Sequence, residues 1–459
     1  TNPVDYVVTA EDGKTEKVFT ITTKILDPTE VVISEFSVPG AKSVDINQGA
    51  KTIKINILQG SNVTALVPSI TTIPASATVD PASGVAKDFT SPINYTVTKG
   101  ATTSTYEVSV NFIAYGFDEE NVTIRYDASF ASSTLPAELG SAGDNERGFS
   151  MNSQYVYVAD KGDGKVYYYN SDGSSVAGTA LNNNDESNTA IVAGGTFKLA
   201  DVVATEKGIV ASNMTLGGTS LRVYKWKDNS SPAELLLDFP AVVNNTNVRL
   251  GDAINFVGDP YGSGKLYAMP FATSNYVLIW DVVNGSITNS ATPTIVTFTG
   301  LASTGNYGFV EPITSGGVNY FLVNGANMVP NLWSADGTTQ ITDIKSDAII
   351  VRAQGGKIVE FNDGRYLVVA LAGTEGATIR DAGIAVYDIT GPSIVEAMNA
   401  ITVETAAEKK VYSFSMGQQT NGNQAADAYI YVDTANKKLR MMAGAANNGF
   451  RVVEAPEKK

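Results

Sequence analysis

The feature that most narrows what this chain can fold into is a recurrence. Between residues 147 and 454, sets of short strand-like runs return about every 55 residues. One run of each set reads as Tyr155–Asp160, Gly208–Asn213, Lys265–Pro270, Asn319–Asn324, Arg365–Ala370 and Ala428–Asp433. The next reads as Lys165–Asn170, Leu221–Trp226, Tyr276–Asp281, Asn331–Trp333, Gly383–Asp388 and Leu439–Met442. Inner strands precede them at Gly148–Asn152, Leu199–Ala204, Ala253–Val257, Tyr307–Pro312, Lys357–Asn362 and Val411–Met416. Outer strands follow, most clearly at Leu235–Phe239, Thr294–Thr299 and Arg451–Glu454. A unit this short cannot bury its own apolar face, and four strands per repeat of this length describe a propeller blade. Six sets predict a six-bladed β-propeller over 121–454. The run Asn121–Tyr126 is left over, either as an edge strand or as one that closes the ring.

Aromatic spacing supports the register. Trp226, Trp280, Trp333 and Tyr387 fall 54, 53 and 54 residues apart, each near the end of a third strand. Tryptophan platforms also bind sugars, but one aromatic per blade at a fixed position is what packing against the neighbouring blade requires. These four are assigned to the core.

Two absences exclude whole classes of chemistry. The 459 residues contain no Cys and no His. Disulfide frameworks, Cys/His zinc sites, haem ligation by either residue, Ser-His-Asp triads and cysteine nucleophiles are therefore out. With 32 basic against 47 acidic side chains and a net charge of -15, nucleic acid is not an expected partner. No apolar run is long enough for a transmembrane helix. Asp160-Lys161-Gly162-Asp163-Gly164 lacks the alternation and distal Glu of a calcium loop, so no metal and no cofactor are expected.

The front of the chain has its own repeat. Val4–Ala10 alternates in period 2, Glu11-Asp12-Gly13-Lys14 supplies a turn, and Val18–Thr22 alternates again, which predicts a hairpin. The pattern returns at Ile93–Thr98 and Thr105–Val110, where Tyr95 stands 89 residues after Tyr6 and Tyr106 stands 87 after Phe19. Short strand-like runs precede the second copy, as in a small β-sandwich. Residues 30–113 are therefore expected to form an Ig-like domain, and 1–26 the closing hairpin of a truncated preceding repeat. The fold class is all-β.

Tyr6, Val8, Thr9, Ala10, Glu11, Asp12 and Gly13 resemble the hairpin signature of Ig-like repeats in Bacteroidetes cell-surface lipoproteins; the second copy keeps only Tyr95, Val97 and Thr98. Gly148–Asn152 followed by Tyr155–Asp160 resembles NHL or TolB-type six-bladed propellers, and Phe414-Ser415-Met416 with Tyr429–Asp433 echoes it. Taken whole, the chain resembles a Bacteroidetes secreted family of unknown function. The resemblance implies a spacer carrying a propeller that binds a glycan or a surface protein. It implies an extracellular or periplasmic setting, with a lipid anchor upstream of this chain.

A cation stands at the start of five of the six inner strands: Arg147, Lys198, Arg249, Lys357 and Lys410. The fourth blade has Asn306 and Tyr307 instead. A cationic ring at a channel mouth would draw a carboxylate- or phosphate-bearing ligand, including an acidic glycan. Lys198 and Arg249 are each followed three residues later by an Asp, so local neutralisation competes with that reading. Loops expected at the rim contribute Phe271 and Arg380. The leading expectation is a non-catalytic surface binding protein with no assigned catalytic residue. Asp201, Asp252, Glu311 and Glu360 keep open a carboxylate-dependent carbohydrate hydrolase or lyase. A scaffold subunit of an outer-membrane assembly is the third alternative.

Overall fold

The computed structural model describes residues 4–9, 16–21, 30–132, 135–139, 145–174, 178–271, 275–349, 353–372, 381–417, 422 and 425–458. The chain divides into two compact units, Thr1–Ala114 and Tyr115–Lys459. In the first, Val4–Thr9 pairs antiparallel with Glu16–Ile21. The described residues of this unit from 30 onward form an Ig-like sandwich. A two-stranded sheet (Val32–Ser37 with Ser69–Ile73) and a five-stranded one (Ala41–Asn47, Thr52–Leu58, Thr102–Ile113, Ile93–Lys99, Thr78–Asp80) share one core. Alternation explains the burial: Ile53, Ile55 and Ile57 point inward, as do Tyr95 and Val97 on their strand. Tyr95 and Tyr106 are fully buried, so the two repeated aromatics belong to the core.

The second unit is a six-bladed propeller. Blade 1 runs from Glu146–Met151 inside, through Tyr155–Asp160 and Lys165–Asn170, to Thr179–Ala180 outside. Blade 2 follows with Phe197–Thr205, Gly208–Met214, Leu221–Trp226 and Glu234–Phe239. Blade 3 is Ile254–Gly258, Gly264–Ala268 and Tyr276–Val283, with Thr294–Thr297 on its outer edge. Blade 4 has three strands, Phe309–Ser315, Val318–Gly325 and Met328–Ser334, and a single bridge from Trp333 to Gln340 where a fourth would lie. Blade 5 is Ala353–Phe361, Gly364–Ala372, Ala382–Asp388 and Lys410–Gly417. Each inner strand touches the inner strand of the next blade, and the sixth returns to the first. Trp226, Trp280, Trp333 and Tyr387 are buried, as their spacing predicts.

Blade 6 differs from the sequence reading by one strand. Its inner strand is Ala426–Asp433, followed by Lys438–Ala445 and Gly449–Pro456, and its outer strand is Thr123–Ser129 from the front of the unit. Val411–Met416, expected as the inner strand of blade 6, lies in the outer strand of blade 5. The cause is a coincidence of spacing. Val411 stands 54 residues after Lys357, which matches the repeat, because the connection 389–409 carries the helix Ile394–Asn399.

The leftover run therefore closes the ring. Thr123 pairs with Glu454 and Ser129 with Gly449, so the edges that an open ring would leave unpaired are consumed. Tyr126 meets Phe450 edge-on at 5.1 Å, and Phe450 lies 5.3 Å from Tyr169 of blade 1. On the other side of the seam, Arg440 donates to Glu454 at 2.8 Å, to Asp433 at 3.0 Å and to the carbonyl of Ser153 at 2.9 Å. Lys438 also binds Glu454, and Arg125 of the closing strand reaches it at 3.3 Å. One carboxylate thus holds three cations, two from a single strand of blade 6 and one from its closing strand.

Candidate functional site

The inner strands of a propeller have no sheet partner toward the axis, so their inward backbone groups need side chains to satisfy them. Here the neighbouring blade supplies most of those side chains. Ser150 Oγ of blade 1 accepts from the Ala204 amide of blade 2 at 2.7 Å. Asp201 of blade 2 accepts from Ile254 of blade 3 at 2.6 Å and from Val202 at 2.8 Å. Asn255 of blade 3 donates to the Val310 carbonyl of blade 4 at 2.9 Å. Glu311 of blade 4 pairs with Lys357 of blade 5 at 2.5 Å, and Lys357 stands 5.0 Å from the Tyr429 ring of blade 6. Asp427 of blade 6 accepts from the Phe149 amide of blade 1 at 3.0 Å, which completes the circuit.

Two carboxylates flank blade 1 in this circuit. A Cβ at Gly148 would lie 2.2 Å from Asp201 Oδ1, so only glycine admits Asp201 there. Burial pushes Asp427 up to about 7, against the pull of the Phe149 amide and Lys357. Burial, with repulsion from Asp427, pushes Asp201 in the same direction. Both carboxyls are therefore shifted toward their protonated forms, chiefly by burial.

The start of the inner strands brings four of the predicted residues together. Tyr307 packs with Ala253, Ala425 and Ala446 in a buried cluster contributed by blades 3, 4 and 6. The Arg147 guanidinium stands 5.7 Å from the Tyr307 ring centre and 5.0 Å from that of Phe197. It pairs with Asp252 at 3.3 Å and is only 4% exposed. Asp252 is gripped a second time by Arg249, whose Nε donates at 2.7 Å and whose guanidinium covers Phe271 at 3.8 Å. Arg147, Arg249, Phe271 and Tyr307 thus form one plug of aromatic and charged groups around Asp252, with Arg147 sealed inside it.

The other predicted residues lie elsewhere. Lys357 is held deeper, between Glu311 and the rings of Phe309 and Tyr429. Lys198 is exposed beside the Gly164 turn of blade 1; the Asp201 that follows it binds backbone amides. Lys410 begins the outer strand of blade 5 and is exposed, so it does not stand at an inner strand. Arg380 lies outside the described residues. Of the four acids kept open as catalytic, Asp252 and Glu311 are ion-paired, Asp201 is amide-bound and Glu360 is a surface partner of Arg365. Asp427 was missed because its strand was read one place too far out in the blade. Asp160 accepts from the amides of Gly162 and Asp163 as a turn residue. Among the described residues, no group of three or more carboxylates could hold a metal.

Arg147→Ala would leave a void beside Tyr307 and withdraw one of the two cations on Asp252. The expected cost is about 2 kcal/mol of propeller stability, read by urea unfolding. A variant as stable as the parent would show the plug to be unimportant for folding.

Residues 104–458 match the family described as DUF4623, a domain of unknown function, and residues 33–110 match the family described as SGBP, N-terminal. A solved DUF4623 family protein from Bacteroides eggerthii is 18% identical, with 94% of this chain and 99% of that one covered at a TM-score of 0.62. Its likeness is one of fold. An aldose sugar dehydrogenase from Streptomyces coelicolor is 8% identical over 74% of this chain and 100% of that one, at a TM-score of 0.36. No curated protein matches the chain.

Proposed function

The chain belongs to the DUF4623 family, and on that premise we propose that it is a surface-associated glycan-binding protein that holds its ligand without transforming it. The observation that carries the non-catalytic part is the commitment of the axial carboxylates. Asp201, Asp252, Glu311 and Asp427 are each bonded to a backbone amide or a cation of another blade. A glycosidase needs one carboxyl free to protonate the leaving group and a second free to attack or to activate water. Tyr307 and Arg147 are packed together at the start of the inner strands, where the sequence places a cationic ligand site. The glycan part rests on the SGBP match at residues 33–110, whose name denotes surface glycan-binding proteins.

The test is a panel of neutral and acidic oligosaccharides presented to the full chain, scored for binding and for product. Binding with no new reducing ends after long incubation is the expected result. No binding to any glycan would overturn the reading. One feature favours the hydrolase as a second reading: burial pushes Asp427 up to about 7, in the range of a general acid. That alternative predicts released sugar that disappears in Asp427→Asn.

A further inference from the structure

At the opposite end of the inner strands from the plug, blades 1 and 2 enclose a cleft of about 430 Å³. Three turns build it: Asn152–Gln154 after the inner strand of blade 1, Thr205–Glu206 after that of blade 2, and Lys227–Ser230 beyond the third strand of blade 2. The half-buried Tyr155 supplies its aromatic wall, backed by the buried Tyr157. The volume falls within the roughly 300–1,000 Å³ of small-molecule sites.

The polar groups around it are held before any ligand arrives. Glu206 accepts from the Ser153 amide at 2.7 Å and from its hydroxyl at 2.6 Å, which ties the two inner-strand turns together. Asp228 is fixed by Ser230 and Ser231. Tyr157 donates to Asn229 Oδ1 at 2.8 Å, and this leaves Asn229 Nδ2 buried with no partner. A buried amide donor without an acceptor is costly unless something else satisfies it.

We propose that this cleft binds a neutral sugar of an oligosaccharide chain. An aromatic wall receives the apolar face of a pyranose, while amide and carboxylate groups match its hydroxyls as both donors and acceptors. Gln154 and Lys227, both exposed on the lining, donate to those hydroxyls, and Glu206 and Asp228 accept from others. Charge decides between neutral and acidic ligands. Glu206 and Asp228 outnumber Lys227, so a carboxylated or sulfated sugar would enter against a net negative wall. The inference rests on the glycan-binding reading above and adds a place and a ligand class to it.

The experiment measures binding of short glucan, mannan, xylan and galactan oligosaccharides to the full chain by calorimetry. Hydrogen exchange is followed over residues 152–157 and 226–230 in the same samples. Tyr155→Ala is expected to weaken the bound neutral oligosaccharide about tenfold or more. Because Tyr155 also packs against Tyr157 and Tyr168, the exposed Lys227→Ala and Gln154→Ala accompany it, with expected losses of a few-fold. Ligand should slow exchange in both segments. Binding that is indifferent to all three variants and protects neither segment would overturn this site while leaving the protein a glycan binder. Binding of acidic oligosaccharides alone would overturn the neutral-sugar assignment. Failure of neutral and acidic glycans alike would overturn the parent reading as well.

Discussion

Glu454→Ala is expected to cost the propeller about 3 kcal/mol or more and to loosen the closing strand selectively. The carboxylate is nearly buried and holds Arg440, Lys438 and Arg125. Removing one member of a buried pair leaves the remaining charges desolvated without compensation, and such losses run at about 3–5 kcal/mol. Asp433 retains one bond to Arg440, which places the expectation at the lower end. Urea unfolding gives the magnitude, and hydrogen exchange at residues 123–129 gives the location. The charges also set a pH dependence. Burial pushes Glu454 up, but hydrogen bonds from Lys438 and Arg440 outweigh it and leave its pKa lowered. Its stabilisation is therefore present above the unfolded carboxylate pKa and is lost as pH falls through the folded one. A loss below about 1 kcal/mol, or exchange that quickens uniformly round the ring, would mean that strand pairing alone closes the propeller.

The second large effect has the opposite sign. Asp427→Asn is expected to stabilise the propeller at pH 8 by about 2 kcal/mol and to change little at pH 5. The folded pKa of Asp427 is raised from 3.8 to about 7. A carboxyl whose folded pKa is raised favours the native state below its unfolded pKa, and the advantage drains away between about pH 4 and 7. Above pH 7 the native state carries a poorly solvated charge near Asp201 and Tyr429, with Lys357 as the cation that reaches it. Asparagine keeps an oxygen for the Phe149 amide and removes the charge. Thermal melts from pH 4.5 to 8.5 for parent and variant test this. Parallel curves would show that Asp427 is ionised throughout. Glu454 favours higher pH and Asp427 lower, so the parent is expected to be most stable at mildly acidic pH.

The periodic parts of this fold were legible because packing imposes them once per blade. Trp226, Trp280 and Trp333 keep step since each fills the same space against a neighbouring blade. Closure was not legible. Nothing local to Thr123–Ser129 says that its partner lies more than 300 residues away, and the 54-residue interval from Lys357 to Val411 imitates the repeat. The site was partly legible. The sequence placed Arg147 and Arg249 at the same end of the inner strands of blades 1 and 3, with Asp252 following Arg249. It could not show that one carboxylate serves both, because Arg147 of blade 1 and Asp252 of blade 3 meet only through the closed ring, 105 residues apart in sequence. The cleft between blades 1 and 2 left no trace in the spacing, since three unrelated turns from two repeats build it.

The seam between Thr123–Ser129 and Gly449–Pro456 also dictates an order of events during synthesis. The closing strand leaves the ribosome early, yet its partner is among the last segments of the unit to be made. Until then its hydrogen-bonding edge has nothing native to join, and blades 1 to 5 must stack as an open arc. Folding of this unit is thus governed by a contact of very long sequence separation, which makes for slow completion and a period of exposure to misassembly. Cells producing the protein are expected to need that interval guarded. A chain released just short of Gly449 should accumulate as the arc, soluble only while a chaperone covers the waiting strand.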